Sequence, residues 1–314
     1  MEMMNKPKEL ITVDVIIPVY HPGHEFDKLL KRLKEQDFDI QHIILMHTED
    51  GQDLTWAEET YENVIIKSVK PEQFDHGGTR DEGIRYSDAD IALCMTQDAV
   101  PADRRLVGML VQSLRESDAA AAYARQLPNE DCDVLERYTR SFNYPNESRT
   151  KSKSDLEELG IKTYFCSNVC AAYKTHIYKN MGGFEKHTIF NEDMIFAAKL
   201  IRAGYKIVYQ AKAKVIHSHN YTNSQQFQRN FDLAVSQAQH PEIFSGVRSE
   251  SEGIRLVRQT ASYLLKIRRP LLIVRLAVNS GAKYMGYRFG RNYRKLPRWL
   301  VMRCTMNPRY WGEN

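Results

Sequence analysis

Val13-Asp14-Val15-Ile16-Ile17-Pro18-Val19-Tyr20 is the stretch from which the fold is read. Its largely apolar run, Val13 to Ile17, is short enough for a buried strand, and Pro18 interrupts it before a turn-rich segment, His21-Pro22-Gly23. Leu29, Leu30 and Leu33 then recur at helical spacing between His24 and Gln36. Outward from this unit the cadence repeats. His42–Met46 is a second strand, followed by a polar loop from His47 to Asp53. Val64–Val69 is a third strand, Thr79–Tyr86 a short helix and Ile91–Met95 a fourth strand, and Leu106, Leu110 and Leu114 mark a helix after Pro101. Strands alternating with helices predict a parallel α/β sheet.

Residues 127–163 are polar and without a clear period, and read as connecting structure. Order returns at Val169–Tyr173 and in a helix from Asn191 to Arg202 stopped by Gly204. Lys206–Tyr209 and Val215–His219 read as two strands, and everything beyond Thr222 as helical.

At 314 residues, 42% hydrophobic and 27% charged, the chain can bury a large core, and wholesale disorder is excluded. The net charge of +4 hides an asymmetry. From Ala261 onward there are 12 Lys and Arg against one acidic residue, which leaves 32 basic and 39 acidic residues before it. The five cysteines form neither CxxC pairs nor zinc-like spacings, and their odd number fits a reducing compartment. Residues 1–10 are polar, with no apolar leader core, and the longest apolar run, Leu271–Val278, is interrupted by Arg275 and too short to span a bilayer.

Strand ends in an open α/β sheet deliver functional side chains, and four ends here are chemically loaded. Pro18 to Gly23 follows the first, Thr48-Glu49-Asp50 the second, Phe74 to Arg80 the third, and Thr96-Gln97-Asp98 the fourth. Gly77-Gly78 before a helix permits close approach of an anion, with Arg80 as its cation, although a plain turn explains the glycines equally. Asp98 is placed to meet a hard divalent cation, or simply to cap a helix ahead of Pro101. His217 and His219, two apart at a strand end, share a face and could complete a metal shell with Asp98. Asn191-Glu192-Asp193 opens a helix. Capping alone would explain it, and a general base is the functional alternative.

Taken together, these segments resemble inverting family 2 glycosyltransferases of the GT-A fold, over roughly Val13 to His240. Val15-Ile-Ile-Pro-Val-Tyr20 is similar to that family's opening strand and nucleotide loop, Thr96-Gln-Asp98 stands where it carries Asp-x-Asp, and Asn191-Glu-Asp193 resembles its catalytic Glu-Asp motif. Phe74-Asp-His-Gly-Gly-Thr-Arg80, Thr96-Gln-Asp-Ala99 and Arg125-Gln-Leu-Pro128 look like the rhamnosyltransferase branch, whose donor is dTDP-L-rhamnose.

The resemblance implies a mixed sheet flanked by helices, with a GT-A domain over residues 1–240 and a helical, basic extension over 241–314. It further implies donor contacts from Pro18, Tyr20, Glu49, Asp75, His76, Gly77, Thr79, Arg80, Gln97 and Asp98. Asp98 and His219 would hold Mg²⁺ or Mn²⁺, and Asp193, beside Glu192, would be the catalytic base. Thr96 departs from the family pattern by removing one acid, which weakens the expected cation site. The irregular 127–163 segment would lie on the acceptor side.

In the extension, a helix from Arg268 to Met285 gathers Arg268, Arg275, Asn279 and Lys283 on one side, and Ile273, Val274, Ala277, Tyr284 and Met285 on the other. Together with the basic and aromatic residues that follow, this suits an anionic membrane surface better than a solvated helical cap or a nucleic-acid patch. The expected protein is therefore cytoplasmic, peripheral on the cytoplasmic face of the membrane. It would transfer a sugar, rhamnose by the resemblance, onto a polyprenyl-linked or growing cell-surface polysaccharide. The alternatives are transfer of a hexose or N-acetylhexosamine, or a non-catalytic sugar-nucleotide-binding role.

Overall fold

β1 (Val13–Val19), β2 (His42–Thr48), β3 (Val64–Val69) and β4 (Ile91–Met95) form a parallel block in the order β3-β2-β1-β4. The computed structural model describes residues 11–245 and 250–312, so the polar stretch 1–10 lies outside the described residues. β1 runs through Pro18 rather than stopping there. β4 pairs with β1 only as far as Ile16, so Pro18 lies past the last rung on that side and faces Met46 of β2 on the other.

Beyond β4 the sheet departs from the all-parallel arrangement expected from the strand–helix cadence. β8 (Cys170–Lys174) runs antiparallel to β4 and to β6 (Ala119–Leu127), and β6 is parallel to β9 (Lys206–Ile216). β5 (Val100–Pro101) and β7 (Arg149–Lys151) add antiparallel pairs to β9. The sheet is therefore mixed, as the GT-A resemblance implied. The two strands expected between Lys206 and His219 are one continuous β9, whose register against β6 shifts between Ala124 and Arg125. Residues 127–163 are also more regular than expected: they hold a helix over Val134–Asn143, the strand β7 and short helical turns.

Alternation along β1 divides the core. Val13, Val15 and Ile17 face the helices Glu25–Lys34 and Leu106–Glu116, while Ile16 faces the side covered by His76–Arg85 and Glu192–Arg202. Parallel strands buried on both faces need apolar side chains on both, which accounts for the near-continuous Val, Ile and Leu of β1 and β2.

After β9, the helix Asn223–Gln239 leads to Glu250–Lys266, Leu272–Arg291 and Arg298–Cys304. Leu272–Arg291 lies against Asn223–Gln239 at backbone contact: a Cβ on Gly286 would stand 2.2 Å from the Phe227 carbonyl oxygen, and one on Gly290 2.2 Å from that of Phe231. Asp232, nearly fully buried, accepts hydrogen bonds from the Thr305 hydroxyl (2.6 Å) and the Met306 N–H (2.8 Å), tying down the chain after Cys304. Among the described residues, no helix is long and apolar enough to cross a membrane.

Gly286→Ala or Gly290→Ala should force the two helices apart and cost about 1–3 kcal/mol. Urea unfolding would show the loss as a lower midpoint, and a midpoint equal to wild type would mean that the contact yields freely.

Candidate active site

The C-terminal ends of β1 to β4 open on one rim, and the antiparallel entry of β8 beside β4 completes it. Thr96 N–H donates to the Val169 carbonyl (3.2 Å) and the Thr96 carbonyl accepts from Ala99 N–H (3.1 Å), so the chain turns sharply and presents Asp98. Just past β9, His217 Nε2 lies 3.5 Å and His219 Nε2 3.3 Å from the Asp98 carboxylate, and the two ring nitrogens are 3.1 Å apart. Ligand atoms of all three residues fall within 4.8 Å of one another.

Burial opposes the Asp98 charge, but the hydrogen bond from His217 and the two imidazoles more than offset it, so the carboxyl is held below the usual carboxylate range. Burial, then the His217 ring, lowers His219 to about 4, so that its imidazole is neutral at neutral pH and able to coordinate.

The orientation of His217 is set from behind. Gln126 Oε1 lies 3.1 Å from its Nδ1 and also accepts from Arg140. Gln126 Nε2 reaches the Tyr144 hydroxyl (2.5 Å) and the Ser167 Oγ (3.1 Å). His217 Nδ1 is thus anchored on Gln126, and its Nε2 is turned toward Asp98 and His219. One carboxylate and two imidazoles fit a divalent cation, and His217 adds a third candidate ligand to the pair expected from Asp98 and His219.

The second carboxylate centre is at the start of the helix Glu192–Arg202. Asn191, at φ 65°, turns the chain directly into it; its side chain donates to the Leu233 carbonyl (3.3 Å) and caps nothing. Asp193 accepts hydrogen bonds from Met194 N–H (2.7 Å) and Asn168 N–H (3.2 Å). Burial, and then the charge of adjacent Glu192, push Asp193 above the ordinary aspartate value. Glu192 is buried, paired with Arg80 at 3.3 Å and hydrogen-bonded by the Asn168 amide at 3.2 Å, and despite its burial these partners keep it below the ordinary glutamate value. Asn168 adjoins Ser167, which bonds Gln126, so one polar network joins Asp98 through His217 and Gln126 to Asp193.

The residues read as donor contacts lie around the same rim, with differing surroundings. Tyr20 is exposed, and its backbone N–H and carbonyl both bond the Gln97 amide (2.7 and 2.9 Å), so Gln97 extends the ladder from β1. Glu49 is exposed and accepts from the Ser68 hydroxyl (2.7 Å). Asp75 caps the helix His76–Arg85 through Gly78 N–H (2.6 Å), and the Thr79 hydroxyl lies 3.2 Å from the Asp75 nitrogen. Burial lowers His76 below the ordinary histidine value.

Arg80 turns inward to the His76 carbonyl (2.9 Å) and Glu192, so its charge steadies the carboxylate pair. Gly77 is required by packing: a Cβ there would sit 2.0 Å from the Glu185 carbonyl oxygen. Sequence reading did not single out Gln126 or Asn168 for these roles, nor Arg309, whose guanidinium lies 3.4 Å from the Tyr20 hydroxyl and 5.7 Å from its ring centroid. No local pattern marks a contact made across 289 positions.

Residues 14–182, more than half the chain, match the profile of glycosyl transferase family 2. The chain belongs to that family. It is 38% identical over 305 residues to the O-antigen chain rhamnosyltransferase RfbN of Salmonella typhimurium, covering 96% of each chain. It is also 37% identical over 304 residues to WbaN of Salmonella anatum, another O-antigen chain rhamnosyltransferase, covering 95% of each. Among solved structures it is similar to the mannosyltransferase PcManGT from Pyrobaculum calidifontis, in complex with GDP-Man and Mn²⁺. There the TM-score is 0.58 at 14% identity, covering 98% of this chain and 89% of that one. TarS 1-349 of S. aureus follows, with TM-score 0.55 at 15% identity, covering 91% and 92%. The chain is a glycosyltransferase with a GT-A-like fold, and its Asp-His-His cluster fits a divalent cation.

Removing a ligand by Asp98→Asn or His219→Ala should abolish tight Mn²⁺ binding in calorimetry. Gln126→Ala, which leaves all three ligand atoms in place but frees the His217 ring together with Arg140, Tyr144 and Ser167, should weaken it about 10- to 100-fold. Unchanged binding in Gln126→Ala would show that the ring needs no such support.

Proposed function

We propose that the chain transfers L-rhamnose from dTDP-L-rhamnose, with inversion, onto a lipid-linked or growing cell-surface polysaccharide at the cytoplasmic face of a membrane. The observation that carries this reading is near-full-length similarity to two proteins named as O-antigen chain rhamnosyltransferases. It is supported by a site with a separate cation cluster and a separate carboxylate of raised proton affinity.

In this reading residues 1–240 bind donor and carry out transfer, and 241–314 face the membrane. Tyr20 and Glu49 receive the nucleoside, and Pro18, Gln97 and the Asp75–Arg80 segment shape the donor loop around it. Asp98, His217 and His219 would hold Mg²⁺ or Mn²⁺, which when bound neutralises charge on the leaving diphosphate. Asp193 takes the proton of the acceptor hydroxyl as that oxygen attacks the anomeric carbon. Its pKa, raised to about 7, makes it a stronger base than an ordinary aspartate while leaving about half of it ionised at neutral pH. Glu192 keeps that affinity high through like charge, and Arg80 offsets enough of the buried charge to let both carboxylates coexist.

The membrane-facing part is supported by exposed apolar side chains at the turn joining Glu250–Lys266 to Leu272–Arg291. Leu271 is 86% and Val274 68% exposed, with Leu265, Ile267 and Val278 also open to solvent. Lys266, Arg268 and Arg269 interleave with them. Apolar side chains flanked by cations suit insertion at an anionic leaflet, each cation adding about 1 kcal/mol.

With released nucleotide as readout, dTDP-L-rhamnose should outpace GDP-mannose and UDP-N-acetylglucosamine, and a preference for either of the others would replace the donor named here. Asp193→Asn should lower turnover about 10²- to 10⁴-fold while nucleotide still binds. Turnover should fall as pH drops through the Asp193 pKa, because the protonated carboxyl cannot accept a proton. Glu192→Gln should move that acidic limb downward by removing the like charge, and a limb that stays put would exclude Asp193 as the titrating base. Leu271→Asp with Val274→Asp should release the protein from anionic liposomes in sedimentation, and equal pelleting would place the contact elsewhere.

A further inference from the structure

A cavity of about 1150 Å³ lies between the helices Val134–Asn143, Asn223–Gln239, Glu250–Lys266 and Leu272–Arg291. One end reaches the catalytic rim, where Met194, next to Asp193, and His219 form its wall. Further along, the lining is largely apolar, with Leu135, Ile161, Val257 and Leu276 among it. The helix Leu272–Arg291 therefore sets part of its polar side on the cavity and part of its apolar side in solvent. Arg275, Asn279 and Lys283 line the cavity, while Val274, Val278 and Met285 look out to solvent.

The charges on the cavity wall do not balance. Asp133 is paired with Arg275 (2.5 Å), Glu136 with Arg140 (2.7 Å) and Glu252 with Lys162 (2.6 Å). Lys283, which is partly buried and feels the charge of Glu136, and Arg258, which is exposed, come from two different helices and make no ion pair or hydrogen bond among the described residues. Burial pushes Lys283 below the ordinary lysine value. An ammonium partly withdrawn from water with no direct ion pair is unfavourable, and a bound anion would offset that cost.

We infer that this cavity seats the acceptor, with Lys283 and Arg258 receiving a phosphoryl group that joins its saccharide to an apolar carrier. The inference rests on the transferase reading and adds the place and the residues. Two cations with several N–H donors suit a multi-oxygen anion, the apolar wall suits the carrier, and the end at Met194 and His219 suits the reacting sugar.

The test is calorimetry on the full chain with saturating dTDP filling the donor side and no divalent cation present. The probes are undecyl diphosphate and the neutral undecyl β-glucoside. Lys283→Met should weaken undecyl diphosphate about tenfold or more and leave the glucoside unchanged, while Lys283→Arg keeps most of the affinity. Equal weakening of both probes, no weakening of either, or displacement of dTDP by undecyl diphosphate would overturn the inference. Donor turnover by the wild-type protein reports separately on the transferase reading, so turnover that persists beside an indifferent Lys283 removes only the phosphoryl seat.

Discussion

The pairing of β4 with β8, running in opposite directions, is the constraint on which the catalytic rim depends. Met95 stands against Cys170, so the turn carrying Asp98 and the segment carrying Ser167 and Asn168 leave the sheet at the same edge. Asn168 then holds the Glu192–Asp193 pair, and Ser167 holds the Gln126 that orients His217. An all-parallel sheet would send the chain before β8 to the far edge, and no local change could bring these groups together again.

Electrostatics divides the rim into two centres with opposite tendencies. At Asp98 the imidazoles favour ionisation despite burial, which suits a carboxylate kept ready for a cation. At Asp193 burial and a neighbouring carboxylate favour the proton, which suits a group that must take one. Arg80 sits under the second centre and offsets part of its negative charge, while burial and the like charge of Glu192 keep Asp193 from behaving like Asp98.

The C-terminal helices belong physically to the catalytic body. Glycines at 286 and 290 let two helix backbones meet, Asp232 fastens the chain after Cys304, and Arg309 comes to rest on Tyr20. The same packing sets Asn279 and Lys283 of Leu272–Arg291 on a largely apolar cavity and leaves Val274, Val278 and Met285 in solvent, while Leu272, Ile273 and Leu276 pack inward. Periodicity alone shows that a helix has two faces, but not which one the rest of the protein covers.

The sequence by itself determined the leading strands, the loaded strand ends and the family, and offered 98, 193 and 219 as candidate site positions, because those signals are local: apolar runs, turn residues and short motifs in order. It did not reveal β6, whose Ala119-Ala-Ala-Ala122 run has helical propensity and becomes a strand only because β8 and β9 flank it. Nor did it reveal the inward turn of Arg80, the service of Gln126 and Asn168, or the reach of Arg309. Each of these depends on a partner tens or hundreds of positions away, and only the tertiary structure decides which distant groups share a buried space and must satisfy one another there.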